Sequence, residues 1–489
     1  MAEDMALGAD GWPFFIGKDG SVEGWKNTDH RRKLRTPGLQ FLSRGPLAGL
    51  PRTAQRPSLH CRKQTIFWRV GLRPDRSSGG VTGGSRDRGV PERFLRLVAS
   101  IALLGAVTAQ GVLAADAKRP NILLIVVETF RSDHAGCYGY GRDTTPHIDR
   151  LAQEGAMFDQ AIAPSSWTMP SLAGLFTSAP GAVHGVREAT NCLSRQVTTL
   201  TGELRANGYQ TAGIMSNPML HRDFGFGVGF DYYDDYTVRF GADLLDSGKR
   251  PATANDAVTG DAVTRLALGW LKEKRDKGKP FFLYAFYFDP HYDYIPPPPY
   301  DRMFTDPDYH GAQRGRGIEV LRTNSAALTE EDRKNIVALY DGEIRSTDEQ
   351  IGKLLEALKA DGLLDETIVV VTGDHGEEFW ERGSIGHGRT LYEEVIRVPL
   401  IIRHPGLVKK PAVIREQVSL IDVMPTLFDA LHVPIPAQCT GKSLLPLIAG
   451  DSREFKERPL FIETEAWNEH LEAVRIPGKK VVKKAGERQ

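Results

Sequence analysis

Four cysteines in 489 residues are too few for a disulfide scaffold. They stand far apart, at Cys61, Cys137, Cys192 and Cys439, with no C-x-x-C pair to suggest a zinc site, so each is expected to be an isolated thiol. Net charge is also missing, since 62 Lys and Arg balance 62 Asp and Glu. That balance is uneven along the chain. Residues 1–89 carry 16 basic and 8 acidic side chains, and the remaining 400 carry 46 and 54. A mildly acidic body lacks the basic stripe that a phosphate backbone needs, so nucleic acid is not expected as a partner. Long hydrophobic runs are scarce too. The one candidate, residues 97–115, has 19 residues, just enough to span a bilayer, and Gln110 with several Gly and Ala weakens it. What the chain has is 41% hydrophobic residues, enough for a large core, which excludes disordered and collagen-like classes.

The first 89 residues are rich in Gly, Pro and Arg, as in RPDRSSGGVTGGSRDRG at 73–89, and show no sustained period of 2 or 3.6. They are expected to be a low-complexity basic arm that builds no core and is disordered, or translation upstream of the biological start. Residues 90–117 then combine Arg93 and Arg96, an apolar run and the small-residue stretch VLAADA, the three-part form of a secretory signal. The chain is therefore expected to be exported, periplasmic or secreted. The alternative is a single-pass anchor through residues 97–115. A catalytic domain over 118–450 and a partial C-terminal subdomain over 451–489 complete the expected organisation.

From residue 118 onward, β-branched apolar runs alternate with amphipathic stretches. This is the pattern of an α/β fold with a mostly parallel central sheet and helices on both faces. Strands are expected at 121–127 (NILLIVV), 210–215, 281–288 (FFLYAFYF), 367–372 (TIVVVT) and 399–403, and helices at 257–274, 329–358 and 419–431. Polar residues follow three of these strands at once: Glu128, then Asp374 and His375, then Asp289 and His291. The carboxyl ends of parallel strands are where open α/β sheets bind ligands. A fourth segment, SSWTMPSL, places Pro170 in the first turn of a helix and Thr168 at its N-terminus. There Thr168 is either an N-cap or, with backbone N–H groups favouring an incoming anion, a nucleophile activated by a metal held on Glu128, Asp374 and His375.

The segments RPNILLIVVETFRSDHAGCYGY, TTPHIDRLAQEGAMF, VVVTGDHGEEF and GHGRTLYEEVIRVPLIIRHPG, in this order, resemble the sulfatase family of the alkaline phosphatase superfamily. YFDPHYDYIPPPPYD and YDGEIRSTDEQIGKLLEAL fit it as well. The resemblance covers residues 119 to about 450 and implies a metal at the strand ends and a covalent intermediate on a hydroxyl-type nucleophile. The departures are specific. Where sulfatases carry C-x-P-S-R or S-x-P-S-R, this chain reads T-M-P-S-L, so formylglycine is not expected and Leu172 stands in place of an arginine. Glu128 and Thr129 stand in place of paired aspartates. A Glu, Thr, Asp and His set is similar to that of phosphoglycerol and phosphoethanolamine transferases.

Carried over, the resemblance implies that Glu128, Thr168, Asp374 and His375 bind one divalent metal and that Thr168 is the nucleophile. His291 and His387 would hold the ester oxygens and protonate the leaving group, and Arg131 and Arg389 are weaker candidates for the anion pocket. Mixed carboxylate, hydroxyl and imidazole ligands favour Zn²⁺ or Mn²⁺ over Ca²⁺. The expected function is a metal-dependent hydrolase or phosphotransferase acting on phosphate esters through Thr168. The alternatives are a sulfatase working without formylglycine and a non-catalytic binding protein on the same scaffold, which would hold metal poorly. Residues 473–482 (AVRIPGKKVV) resemble only the opening strand of the family's C-terminal sheet, so that subdomain is expected to be short or truncated. The tetraproline 296–299 is expected to be a stiff loop near His291.

Overall fold

The computed structural model describes residues 119–235, 259–322, 328–466 and 469–484, with three short strands near the N-terminus. Those strands, Asp4–Leu7, Pro13–Ile16 and Val22–Gly24, pair antiparallel in a separate unit, residues 1–60. The rest of the basic arm, Cys61 and the whole 90–117 segment lie outside the described residues. Among the described residues no helix is long and apolar enough to cross a membrane.

Among the described residues, nine strands build the main sheet: β1 (Asn121–Val127), β2 (Ala156–Ile162), β3 (Gln210–Met215), β4 (Tyr232–Asp234), β5 (Phe281–Tyr287), β6 (Thr367–Gly373), β7 (Arg397–Val398), β8 (Leu400–Arg403) and β9 (Ala412–Ser419). Strand β1 sits between β5 and β6, parallel to both, and β3 and β4 extend the parallel set beyond β5. Its side chains alternate. Ile122, Leu124 and Val126 enter one core cluster, and Leu123, Ile125 and Val127 enter the other, as a period of two requires when both faces are covered.

The run at 399–403, expected in the parallel set, is β8 and runs antiparallel to both β6 and β2. The connection from β6 explains this. It holds a small hairpin (Glu378–Phe379 with Ile385–Gly386) and one four-residue helix, so no crossover helix carries the chain back to the starting edge. Pro399, which has no N–H for the ladder, separates β7 from β8, and both pieces pair with β2. Strands β2 and β9 escape an apolar-run criterion because Asp159 and Gln160 interrupt one and Arg415 and Glu416 the other.

Among the described residues, six helices of seven residues or more cover the faces: α1 (Pro146–Glu154), α2 (Thr168–Thr177), α3 (Leu200–Ala206), α4 (Gly260–Gly269), α5 (Glu330–Ala360) and α6 (Val423–Ala430). Apolar residues of α2, α3 and α6 pack in the first cluster and those of α1, α4 and α5 in the second. The expected cap of α5 is a full capping box. The Asp332 N–H donates to Thr329 Oγ1 at 3.1 Å and the Thr329 N–H to Asp332 Oδ2 at 3.0 Å, which satisfies two donors that a helix start leaves bare.

The C-terminal residues form a three-stranded antiparallel sheet, β10 (Leu460–Ala466), β11 (Glu469–Ile476) and β12 (Lys479–Lys484). Residues 473–482 are therefore the two arms of a hairpin rather than one strand. Pro477 and Gly478, the latter at φ 76°, make the turn. Leu460, Ile462 and Ala473 pack this sheet against Ile162 of β2, Leu391 and Ile396.

One core histidine makes stability depend on pH. His184 is 2% exposed and its Nδ1 accepts the Val186 N–H at 3.1 Å. Burial, and then the Arg187 charge, push it down to about 4, against about 6.5 when unfolded. The unfolded chain therefore takes up a proton that the folded chain rejects. His184's contribution is complete above pH 6.5 and is lost as pH falls through 4, by about 3 kcal/mol in all. Urea unfolding should show the stability gap between wild type and His184→Gln closing by about 2 kcal/mol from pH 7 to pH 4.5. An equal gap at both values would show that His184 does not act this way.

Candidate active site

Four parallel strands end side by side, and a polar residue follows each end within two positions. Strand β1 runs into Glu128, β6 into Asp374 and His375, β5 into Asp289 and His291, and β3 into Ser216 and Asn217. Helix α2 enters the same edge. Its N-cap is Trp167, extended at φ −155°, so Thr168 is the first helical residue rather than the cap. The start of α2 thus aims its first side chain, not its cap, at the cluster.

The Thr168 hydroxyl donates to Glu128 Oε1 at 2.9 Å and lies 3.4 Å from His375 Nε2. Asn217 holds the same carboxylate from the other side, its Nδ2 2.9 Å from Oε1 and 2.7 Å from Oε2. Asp374 Oδ1 accepts the N–H groups of Thr129 and His375, at 3.1 and 2.8 Å. Ser171, one turn into α2, donates to the Asp374 carbonyl at 2.6 Å and ties helix to strand end. Glu128, Asp374 and His375 are fully buried. Burial, and then Asp374's charge, hold the Glu128 carboxyl well above the usual range; burial also raises Asp374.

This donor set fits a divalent cation. One ligand atom from each of Glu128, Asp374 and His375 lies within 4.8 Å of the others. Asp374 Oδ2 is buried with no hydrogen-bond donor. His375 Nδ1 lies 2.9 Å from the Gly376 carbonyl and must donate to it, so in a neutral ring Nε2 is an acceptor. That acceptor is 3.4 Å from Asp374 Oδ2. Two electron-rich atoms facing each other in a dry site are costly without a positive charge between or beside them.

The other expected residues separate into two groups. His291 and His387 join the cluster: His291 Nε2 is 3.8 Å from Glu128 Oε1, and the His387 ring is 4.4 Å from that of His375 and 5.3 Å from that of His291. Burial first, then the neighbouring imidazole, holds each of the two well below the usual histidine range. Arg131 is committed elsewhere, with Nε and Nη2 on Asp133 at 2.9 and 2.7 Å and Nη1 on the Glu377 carbonyl at 2.9 Å. Arg389 is exposed. Asp289 is a cap, accepting from the Thr259 N–H, the Thr259 hydroxyl and the Gly260 N–H at the start of α4. The Thr129 hydroxyl donates to the Pro290 carbonyl, and Leu172 is buried in the core.

Three participants are absent from the expectations: Asn217, Tyr294 and Glu377. Asn217 follows a parallel strand as Glu128 does, so the same strand-end criterion applied to β3 finds it. Glu377 is fully buried, with Oε1 3.0 Å from His387 Nδ1 and Oε2 accepting from the Tyr294 hydroxyl at 3.0 Å. Burial pushes it up to about 7. No spacing in the sequence pairs residues 294, 377 and 387.

A mostly parallel sheet covered on both faces, with a hydroxyl, two carboxylates and imidazoles at its strand ends, is the site of a hydrolytic enzyme. The chain belongs to the sulfatase family, whose model matches residues 120–433. It is similar, at 26% identity over 439 residues, to an N-acetylglucosamine-6-O-sulfatase of Bacteroides thetaiotaomicron, with 74% of this chain and 76% of that protein covered. It is similar, at 30% identity over 384 residues, to an arylsulfatase of Clostridium perfringens, with 68% and 78% covered. Among solved structures, a phosphonate monoester hydrolase of Agrobacterium radiobacter shares the fold with a TM-score of 0.60 at 22% identity, over 75% of this chain and 89% of that one.

Proposed function

We propose that this sulfatase-family enzyme cleaves phosphate esters through a covalent intermediate on Thr168. The observation that carries the reading is the Thr168 hydroxyl, 2.9 Å from Glu128 Oε1 and 3.4 Å from His375 Nε2, beside the unpartnered Asp374 Oδ2. Glu128, Thr168, Asp374 and His375 would hold one divalent cation, and their mixed donors favour Zn²⁺ or Mn²⁺ over Ca²⁺. Bound there, such an ion lowers the pKa of the Thr168 hydroxyl and offsets negative charge on the ester oxygens.

The protein's own groups do the rest. Glu128, fixed by Asn217, orients Oγ1 and accepts its proton. The start of α2 presents backbone N–H groups to the anion. His291 Nε2, 3.8 Å from Glu128 Oε1, can take that proton on and pass it to the departing alkoxide. Neither Arg131 nor Arg389 is needed for this.

A second reading, hydrolysis of sulfate esters, is supported by the names of the two relatives. Full-length protein supplied with Zn²⁺ or Mn²⁺ and assayed on an aryl phosphodiester and an aryl sulfate side by side separates the two. Diester turnover above sulfate turnover is expected. Sulfate turnover alone would replace the first reading with the second, and no turnover with no retained metal would leave a binding protein on this scaffold. The signal-like segment at 90–117 supports an exported enzyme; the N-terminal sequence of the secreted product tests it.

A further inference from the structure

Thr168 carries a single hydroxyl. Once a phosphoryl or sulfuryl group sits on Oγ1, no second hydroxyl on the same carbon is present to expel it by carbon–oxygen cleavage. Release as a hydrolase then requires water to attack the phosphorus or sulfur, and water at neutral pH needs a base. Glu128 and Asp374 are the metal-side carboxylates, and His375 Nε2 faces them. A base with a different orientation has to come from the other wall of the cluster.

That wall is built for the task. His387 Nδ1 lies 3.0 Å from Glu377 Oε1, and Glu377 Oε2 accepts the Tyr294 hydroxyl at 3.0 Å. The Glu377 main chain is clamped as well, its carbonyl accepting from Arg131 Nη1 at 2.9 Å and its N–H donating to the Glu394 carbonyl at 3.1 Å. The His387 carbonyl accepts from Arg322 Nη2 at 2.5 Å. Carboxylate and ring are therefore fixed from both ends, with Glu377 fully buried and His387 4% exposed. With the Tyr294 hydroxyl donating to Oε2, Oε1 is the oxygen turned to the ring, which places the ring proton on Nδ1 and the lone pair on Nε2. This is the tautomer that a general base needs.

We propose that Glu377, braced by Tyr294, is a positioning residue that orients His387 as the base for the water that clears Thr168. It rests on Thr168 carrying the covalent group. In that step the water oxygen forms a bond to phosphorus or sulfur, and the bond to Oγ1 breaks with its electron pair left on Oγ1. The proton released by water passes to His387 Nε2 and is the proton Oγ1 needs to return as a hydroxyl.

The test uses full-length, metal-supplied protein and an aryl ester, whose leaving group departs without a proton and so exposes the second half-reaction. In Glu377→Gln the burst of aryl alcohol should persist while steady-state turnover falls about 10²-fold or more. Intact-mass measurement should show the chain carrying one phosphoryl or sulfuryl group, absent from wild type at the same time point. A merely structural role for Glu377 would lower burst and steady state together. Tyr294→Phe, which removes one hydroxyl without changing ring volume, should give the same accumulation in weaker form, and it decides the matter should Glu377→Gln not fold. Unchanged turnover without accumulation in a folded variant, or loss of burst and steady state in proportion, overturns the proposal while leaving the Thr168 reading intact. Turnover retained by Thr168→Ala in the same assay would instead overturn that underlying reading.

Discussion

Thr168→Ala is expected to lower kcat/KM by at least about 10³-fold, the scale on which removal of a covalent nucleophile acts. Thr168→Ser is expected to retain most of the activity, because the hydroxyl survives and only a methyl is lost. The physical case rests on what the side chain does besides reacting. Oγ1 is one of two donors to the Glu128 carboxylate, and Asn217 supplies the other through both oxygens. Alanine therefore leaves Glu128 with hydrogen bonds, and the helix starts unchanged because Thr168 is not its cap. Stability should shift by no more than about 1 kcal/mol, so loss of activity reports chemistry and not unfolding. Kinetics on both variants with urea unfolding beside them checks this. Alanine activity near wild type would remove Thr168 from the reaction.

The second large effect is on metal retention, and it has opposite signs for activity and for metal-free stability. Asp374→Asn keeps the oxygen that accepts from Thr129 and His375, at 3.1 and 2.8 Å, but replaces the unpartnered Oδ2 with an amide. Bound metal should drop from about one per chain to near zero, and turnover should fall about 10³-fold, as it should on chelation of the wild type. Without metal the variant should be the more stable of the two, by about 1 kcal/mol, because one of two buried, mutually repelling carboxylates has gone. Elemental analysis and thermal unfolding with and without chelator test both halves. An Asp374→Asn variant that keeps its metal, or that is less stable than the metal-free wild type, would show that the cluster is not held for a cation.

Much of this site was legible because strand-end polarity is a local signal. NILLIVV followed by Glu, TIVVVT followed by Gly-Asp-His and FFLYAFYF followed by Asp-Pro-His each announce a buried strand that stops at chemistry. Position along a strand does not say which polar residue turns inward. Asp289 and His291 share one loop, yet the first caps α4 and the second meets Glu128. Arg131 lies three residues beyond Glu128 and is drawn to Asp133.

Fold legibility divides the same way. Fully buried strands such as β1 and β6 are read directly, since covering both faces forces a continuous apolar run. The direction of β8 depends on what connects it to β6, and that is decided by the absence of a crossover helix rather than by β8's own residues. The sequence by itself determined the sheet class and pointed to the carboxyl edge and to Glu128, Thr168, Asp374 and His375 as the candidate set, because backbone periodicity and helix starts are written locally. Only the tertiary structure decided which partners complete that set. Asn217 reaches Glu128 from 89 positions away, and Tyr294 and His387 meet on Glu377 from 83 and 10 positions away. A hydrogen bond between buried side chains depends on distance in space, and strand order alone brings those strand ends and loops together.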